Sequence, residues 1–359
     1  MAIELLEIVN FRNLKHARLE PSPHTTLVIG KNGSGKTSLL ESVHFLGTGR
    51  SFRTPHSQRL ITLGESSFTL FGKLKNDHRQ QTIGINKSKQ QLKIKIDGQL
   101  ATSASQLAER LPVQIINPDA HKLLEEGPRF RRRFMEWGVF HVEPKYFPLW
   151  QQCRHILKQR NAALKTRVSE RELRHWDTAL ADKTETIAEI RDTYLEQLQP
   201  YVTRLLERVD GFPPISITLD PGWPKEKNLL DVLASAREQD MAKGFTTYGP
   251  HRLDIKIMVD GVRAKELVSR GQQKLLTAFL KIAQVNLLIE SRPTANVVLL
   301  IDDLPAELDE GFRNTLLTEV RNLHVQSIIT GTDLDLFKIP TGQQDSPAVF
   351  HVEHGNLTN

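Results

Sequence analysis

The chain holds one cysteine, Cys153, among 359 residues. That excludes an internal disulfide framework and any zinc site made of paired thiolates, and it suits a reducing compartment. The 13 histidines lack the close spacing of a metal site, so no zinc centre is expected. No apolar run approaches the roughly 20 residues needed to cross a bilayer, and Glu4 and Glu7 interrupt the first apolar stretch where a secretory leader would be continuous. A cytoplasmic protein with no membrane partner is the expectation. Internal repeats, low-complexity tracts and sustained heptads are also missing, which argues against a solenoid, a disordered tail or a long coiled coil. Lysine and arginine exceed the acids by 48 − 42 = 6, too small an excess to mark the whole chain as a polyanion binder. The composition, 39% hydrophobic and 25% charged, suffices for one large or two ordinary domains.

What is present is more specific. Gly30, Lys31, Asn32, Gly33, Ser34, Gly35, Lys36 and Thr37 fit G-x-x-x-x-G-K-[ST] at every position. The β-branched run Thr25 to Ile29 precedes them, and apolar residues at helical spacing follow from Thr37 to Leu46, so the motif has its strand and its helix. Glycines let backbone N–H groups wrap a phosphate. Lys36 is expected to reach the β- and γ-oxygens of ATP and Thr37 to ligate Mg2+, with the helix N-terminus adding partial positive charge.

Three later segments narrow the choice. Ser269-Arg270-Gly271-Gln272-Gln273 opens an amphipathic helix reaching about Glu290. Val297 to Ile301 reads as a buried parallel strand ending in Asp302 and Asp303, and Ala306, Glu307, Leu308 and Asp309 follow. Taken singly, Ser269 could be an ordinary N-cap and the acid pair a capping turn. In this order the set is similar to the signature, acidic strand and following loop of ABC-type ATPases, and it is their agreement that argues.

Periodicity gives a coarse layout. Residues 1–117 read as strands with few helices: Ile3 to Val9, Thr25 to Ile29, Phe68 to Leu74, Gln81 to Ile85, Leu92 to Ile96 with an Asp97-Gly98 turn, and Val113 to Ile116. Residues 118–243 read as an inserted helical arm, with amphipathic stretches at Pro144 to Leu164 and Glu170 to Leu198 and a short strand Ile215 to Leu219. Residues 244–359 return to mixed α/β, with Leu253 to Val259, the signature helix, the acid-bearing strand and Ser327 to Thr330. The expected fold class is α/β: an ABC/SMC-type P-loop ATPase head with a β-rich N-terminal lobe and an inserted helical arm.

The stretches LEIVNFRNL (Leu6 to Leu14), GTGRSFRT (Gly47 to Thr54), PDAHKLLEEGPRFRRRFMEWG (Pro118 to Gly138), KQRNAALK (Lys158 to Lys165) and YGPHRLD (Tyr248 to Asp254) resemble the bacterial RecF family of SMC-related ATPases. The likeness runs along nearly the whole chain. Three residues depart from the family's usual pattern: Glu126 where glycine is common, Glu136 where aspartate is, and Pro305 where a small residue is. Proline fixes φ and removes an N–H, which affects the loop between Asp303 and Asp309.

The ABC resemblance implies that ATP on one copy is closed over by Ser269, Gly271 and Gln272 of a second, giving an ATP-dependent homodimer. It further implies that Asp302 holds Mg2+, that Asp303 polarises the attacking water, and that Gln114, placed before the arm, senses metal and water. Aspartate at 303 is one methylene shorter than the usual glutamate, and Gly331-Thr332-Asp333 stands where a switch histidine is usual. Both imply slow hydrolysis, a weak DNA-stimulated ATPase used as a switch. Arg12 and Asn13 have two readings: nucleotide contact, as in SMC-like heads, or a structural loop role. Arg50, Arg53, His251 and Arg252 likewise read as nucleotide or DNA contacts or as local packing. The family resemblance implies binding to single-stranded and duplex DNA at gap junctions, RecR, RecO and RecA as partners, a role in recombinational repair, replication and SOS induction, and association with the nucleoid. The alternative is the ATP-hydrolysing subunit of a membrane ABC transporter, which has no use for a basic arm.

Such an arm is visible in the charge distribution. Between Arg129 and Arg174 there are 12 lysines and arginines against four acids, Glu136, Glu143, Glu170 and Glu172. Arg131, Arg132, Arg154, Lys158 and Arg160 are the expected DNA contacts, through phosphates rather than bases. The triplet Arg131, Arg132 and Arg133 cannot share one helical face, so at least one is expected to point inward. Phe134, Trp137 and Phe140, at helical spacing, are expected in the core.

Overall fold

The computed structural model describes residues 3–76, 79–303, 308–337 and 347–358. Two compact units emerge: residues 1–120 with 270–359, and residues 121–269.

The first unit begins with β1 (Ile3–Phe11), β2 (Leu14–Leu19) and β3 (Thr25–Ile29), then α1 (Lys36–Thr48). After these come β4 (Ser67–Asn76), β5 (Arg79–Ser88), β6 (Leu92–Ile96), β7 (Gln99–Leu100), α2 (Ser105–Arg110) and β8 (Val113–Ile116). One sheet, ordered β2-β1-β4-β5-β6-β7, is antiparallel throughout. Its alternation of buried and exposed residues is what a half-solvated sheet dictates. The hairpin between β6 and β7 turns at Asp97 and Gly98, φ 50° and 81°, a primed turn suited to the strands' twist.

The second unit holds α3 (Lys122–Glu125), α4 (Pro128–Val142), α5 (Tyr146–Thr166), α6 (Glu170–Leu206), β9 (Ile215–Asp220), α7 (Leu229–Ser235), α8 (Arg237–Lys243), β10 (Asp254–Val259), β11 (Val262–Arg263) and α9 (Ala264–Leu267). Ser169 and Glu172 form a reciprocal capping box that starts α6. Residues 244–269, expected with the head, instead belong here, because β10 pairs antiparallel with β9 along its whole length and α9 packs on α3. The divisions fall at 120/121 and 269/270 rather than at 117/118 and 243/244.

The chain re-enters the first unit with α10 (Arg270–Ser291), β12 (Val298–Ile301), α11 (Glu310–Asn322), β13 (Gln326–Gly331), β14 (Ala348–Glu353) and β15 (Asn356–Thr358). These strands complete a sheet ordered β15-β14-β3-β13-β12-β8, parallel except for the β14–β15 hairpin. Leu299, Leu300 and Ile301 are fully buried, as a strand covered on both faces requires. One apolar core joins both sheets through Phe11, Phe45 and Phe68, whose rings meet edge to face at 4.9–6.3 Å.

Candidate nucleotide site

Register places every element of the site at one edge of the parallel sheet. Ile301 pairs with Ile116 and Ile329, and Ile29 pairs with Gly331, so Asp302, Asn117, Thr330 and Gly30 emerge together at the carboxyl ends of their strands. Ligands of open α/β sheets bind at this edge.

The loop Gly30–Gly35 is held from three sides. Gly30 N–H donates to Gly331 O at 3.2 Å, and Asn13 Nδ2 and Gly355 N–H donate to Ser34 O at 3.2 and 2.9 Å. Gly33 and Gly35 have φ of 80° and 128°, values that disfavour any side chain. A Cβ at Gly30 would lie 2.5 Å from Val352 O. The C-terminal hairpin β14–β15 thus buttresses the loop, a contribution that motif reading does not anticipate. Gly35 caps α1 without a side chain, so the first N–H groups of this 13-residue helix have no side-chain cap and point at the site. Lys36, nearly buried, curls back so that Nζ donates to Gly30 O and Lys31 O at 2.7 and 3.2 Å.

Thr37 and Asp302, distant in sequence, meet here: Thr37 Oγ1 donates to Asp302 Oδ1 at 3.0 Å. Thr330 Oγ1 donates to the same oxygen at 3.0 Å and accepts from Asp303 N–H at 2.9 Å. Burial pushes the Asp302 carboxyl up; the two hydroxyl donors pull it back, and Asp303 raises it again. Asp303 takes φ 51°, and its buried Oδ1 accepts no hydrogen bond from the described residues. A hydroxyl, a carboxylate and a further unsatisfied carboxylate oxygen form a hard-oxygen donor set that fits Mg2+. Thr330, lacking any motif, is a site residue that sequence reading misses.

Other assignments change. Gln114 Nε2 donates to Gln284 Oε1 at 2.9 Å in the interior, level with Leu299 and below Asp302, so the amide is spent on packing β8 against α10. Asn117, level with Asp302, is the amide at the site's edge. Arg12 makes a two-pronged pair with the buried Glu41 of α1, at 2.8 and 2.9 Å, and donates to Arg59 O at 3.1 Å. Ser51 and Arg53 also engage Glu41, and of its two readings Arg12 shows the loop-holding one. Pro305, Ala306 and Glu307 lie outside the described residues.

Ser269 immediately precedes α10, and Gly271 and Gln272 form its first turn. A short connection leads α10 into β12, so helix and strand run antiparallel. Lys281 fixes the helix's middle by donating to Ile115 O beside the sheet's carboxyl edge. From Lys281 back to Gln272 the helix extends about 14 Å further, at 1.5 Å per residue, past the edge where Lys36 and Asp302 sit. Burial pushes the Lys281 ammonium down to about 8. Its charged form is therefore penalised below that pH, and the penalty lifts as pH rises from about 8 toward the unfolded value near 10.4. Denaturant titrations should show Lys281→Met losing a stability gain that the parent chain makes across that window; identical pH slopes would contradict it.

In the second unit the arginines separate by role. Arg131 is bound two-pronged to Asp254 at 2.6 and 3.0 Å and donates to Leu123 O and Glu126 O. Arg132 donates to Leu253 O at 3.1 Å. Arg160, fully buried, lies between Asp177 at 2.6 Å, Asp240 at 2.7 Å and Thr246 at 2.8 Å. All three hold the fold: Arg160, wholly buried, cannot reach a DNA phosphate, while Arg131 and Arg132 are half-buried and engaged by Asp254 and Leu253. Arg154 and Lys158 are exposed, and with Lys165 they share one stripe of α5; Arg129 and Arg133 are exposed one turn apart on α4. Glu136, half-buried, is raised by burial and lowered by Arg191, Arg132, Arg154 and Arg133. His251 bonds Thr246 O at 3.0 Å and Arg252 stacks 5.8 Å over Phe245, both packing roles.

The RecF/RecN/SMC N terminal domain matches residues 2–355. The DNA replication and repair protein RecF of Pseudomonas aeruginosa strain LESB58 is 39% identical over 361 residues, covering 100% of this chain and 98% of that protein. Its counterpart in Hydrogenovibrio crunogenus is 39% identical over 356 residues, covering 98% and 97%. Among solved structures, the recombination mediator protein RecF with ATP, of the RecFOR pathway, superposes with a TM-score of 0.87 at 26% identity, covering 99% of this chain and 97% of that one. An SMC head bound to the C-terminal winged-helix domain of ScpA gives 0.58 at 15% identity over 100% and 97%, a likeness of fold. The chain belongs to the RecF family of ABC/SMC-type ATPases.

Proposed function

We propose that this protein is an ATP-switched, DNA-binding dimer of recombinational repair and replication. The observation that carries the reading is the Thr37–Asp302 hydrogen bond, which ties the P-loop helix to the acid-bearing strand. Lys36 and the first N–H groups of α1 are placed for the phosphates. Thr37 and Asp302 would hold Mg2+, which neutralises phosphate charge when bound. The orphan oxygen of Asp303 is available to orient water, and Asn117 takes the edge role expected of Gln114. The short Asp303 side chain supports slow hydrolysis.

Dimerisation follows from α10. Gly271 and Gln272 extend beyond their own phosphate loop, so their natural target is the triphosphate of a second copy. DNA meets the exposed stripe Arg154, Lys158 and Lys165 with Arg129 and Arg133, and binding couples to closure because each favours the same state. Full-length kinship with RecF supports action with RecO and RecR to load RecA at single-stranded gaps, in the cytoplasm at the nucleoid. It disfavours a transporter subunit.

The test is sedimentation with a non-hydrolysable ATP analogue, alongside DNA anisotropy across a salt series. Ser269→Arg should bind ATP as a monomer yet fail to pair, and normal pairing by this variant would end the closure model. Arg154→Glu with Lys158→Glu should flatten the salt slope by about 0.9 for each phosphate no longer neutralised. An unchanged slope would move the DNA path elsewhere.

A further inference from the structure

The antiparallel sheet of the first unit is covered on one face only. Leu70, Ile85 and Ile94 point into the core, where α1 packs. The opposite face is open. Across it, register aligns Thr69, Asn86 and Lys93 in one row and Phe71, Gly84 and Lys95 in the next, with Lys73 and Lys75 continuing along β4. Lys75, Lys93 and Lys95 are exposed and Lys73 is half-exposed. None of the four forms an ion pair among the described residues. The acids bordering this face have partners: Glu7 has Arg18 at 3.7 Å, Glu4 accepts from Gln80 Nε2 at 3.1 Å, and Asp97 accepts from Thr82 N–H at 2.8 Å.

Same-face lysines two residues apart stand about 7 Å from each other, and β4 and β6, separated by β5, lie about 9.6 Å apart. The face therefore carries two offset pairs of ammonium groups, Lys93 and Lys95 on β6 level with Thr69 and Phe71, and Lys73 and Lys75 further along β4 opposite Thr82 and Gln80. Phe71 is the one ring in these rows, and it is half-buried. Platforms for single strands stack several bases on exposed rings. This face has charge and a single half-buried ring, Phe71, so it suits phosphates, which a duplex presents at one per about 1.7 Å of axis.

We propose that this sheet face is a second contact surface for duplex DNA, meeting its backbone through Lys73, Lys75, Lys93 and Lys95. The inference rests on reading the chain as a DNA-binding protein and adds a site to the basic stripe of the second unit. Whereas that stripe lies on helices, this one is a flat lattice whose spacing the strand register sets.

The full-length Lys93→Gln/Lys95→Gln chain, saturated with a non-hydrolysable ATP analogue, is compared with the parent by anisotropy on a duplex and on a single strand of equal length, across salt. The duplex slope of log K against log salt should fall by about 1.8 per chain, 0.9 for each lysine, with the thermal midpoint unmoved. Lys93→Arg/Lys95→Arg should restore the slope, which separates charge from fold. A parent-like duplex slope in the glutamine variant overturns the surface while leaving DNA binding intact, and points to another occupant such as an acidic protein. A loss confined to the single strand overturns the choice of duplex. If the parent binds no DNA at all, the underlying function fails and this surface with it.

Discussion

Arg160→Ala is expected to cost the second unit about 3–5 kcal/mol, the range for breaking a buried ion pair by removing one partner. The guanidinium is wholly buried and joins α5 to α6 through Asp177, and to α8 and the following loop through Asp240 and Thr246. Without it, Asp240 keeps only the Thr247 N–H at 2.9 Å, and Asp177 keeps Arg237 at 3.4 Å. Two carboxylates would then be buried with little compensation. Denaturant unfolding of the whole protein should show the second unit melting early, with hydrogen exchange accelerating in α5, α6 and α8. Arg160→Met combined with Asp177→Leu and Asp240→Leu should recover much of the loss, since apolar replacement of a complete buried cluster removes the uncompensated charges. An unchanged unfolding midpoint for Arg160→Ala would mean that the cluster contributes no net stability.

Arg160 also shows where sequence reading stops. Its charge is legible, and so is its membership of a basic stretch, but a count of charges along the chain carries no information about partners such as Asp240, 80 residues away. Arg131 fails for the same reason, through Asp254 at 123 residues' separation. Local signals fare better. The strands Thr25–Ile29, Leu92–Ile96 and Val113–Ile116 are bounded correctly because each is a short β-branched run with a turn residue or proline beside it. By contrast β2, Leu14–Leu19, reads LKHARL with no β-branched residue and escapes a strand reading. The head's outline is readable because its motifs sit at strand ends with fixed chemistry. Thr330 and the β14–β15 hairpin belong to the same site but carry no motif, only ordinary β alternation. Gln114 misleads because its residue type suits a site amide, whereas register sets it level with Leu299 and brings Asn117 level with Asp302.

Lys36→Met is expected to reduce ATP affinity by at least about 100-fold while leaving the fold intact. Nζ already lies among oxygens, donating to Gly30 O and Lys31 O, so phosphate binding needs only an exchange of acceptors on the same loop. Hydrogen bonds to charged groups contribute about 1.5–3 kcal/mol each, and losing two corresponds to roughly 10²–10⁴ in affinity. Methionine preserves the aliphatic stem within this nearly buried position, and the loop carbonyls can turn to water, so little stability is lost. ADP should lose less than ATP, because in the proposed arrangement Lys36 reaches the γ-phosphate as well as the β-phosphate. Asp302→Asn separates the metal from the phosphate loop. It keeps an acceptor for Thr37 and Thr330 but removes the charge that favours Mg2+. Calorimetry should therefore find that Asp302→Asn binds ATP without magnesium as the parent does, yet gains little when magnesium is added. Lys36→Met should be weak in both conditions. Tight ATP binding by Lys36→Met would place the triphosphate somewhere other than this loop, and would remove the basis for the proposed closure by Ser269, Gly271 and Gln272.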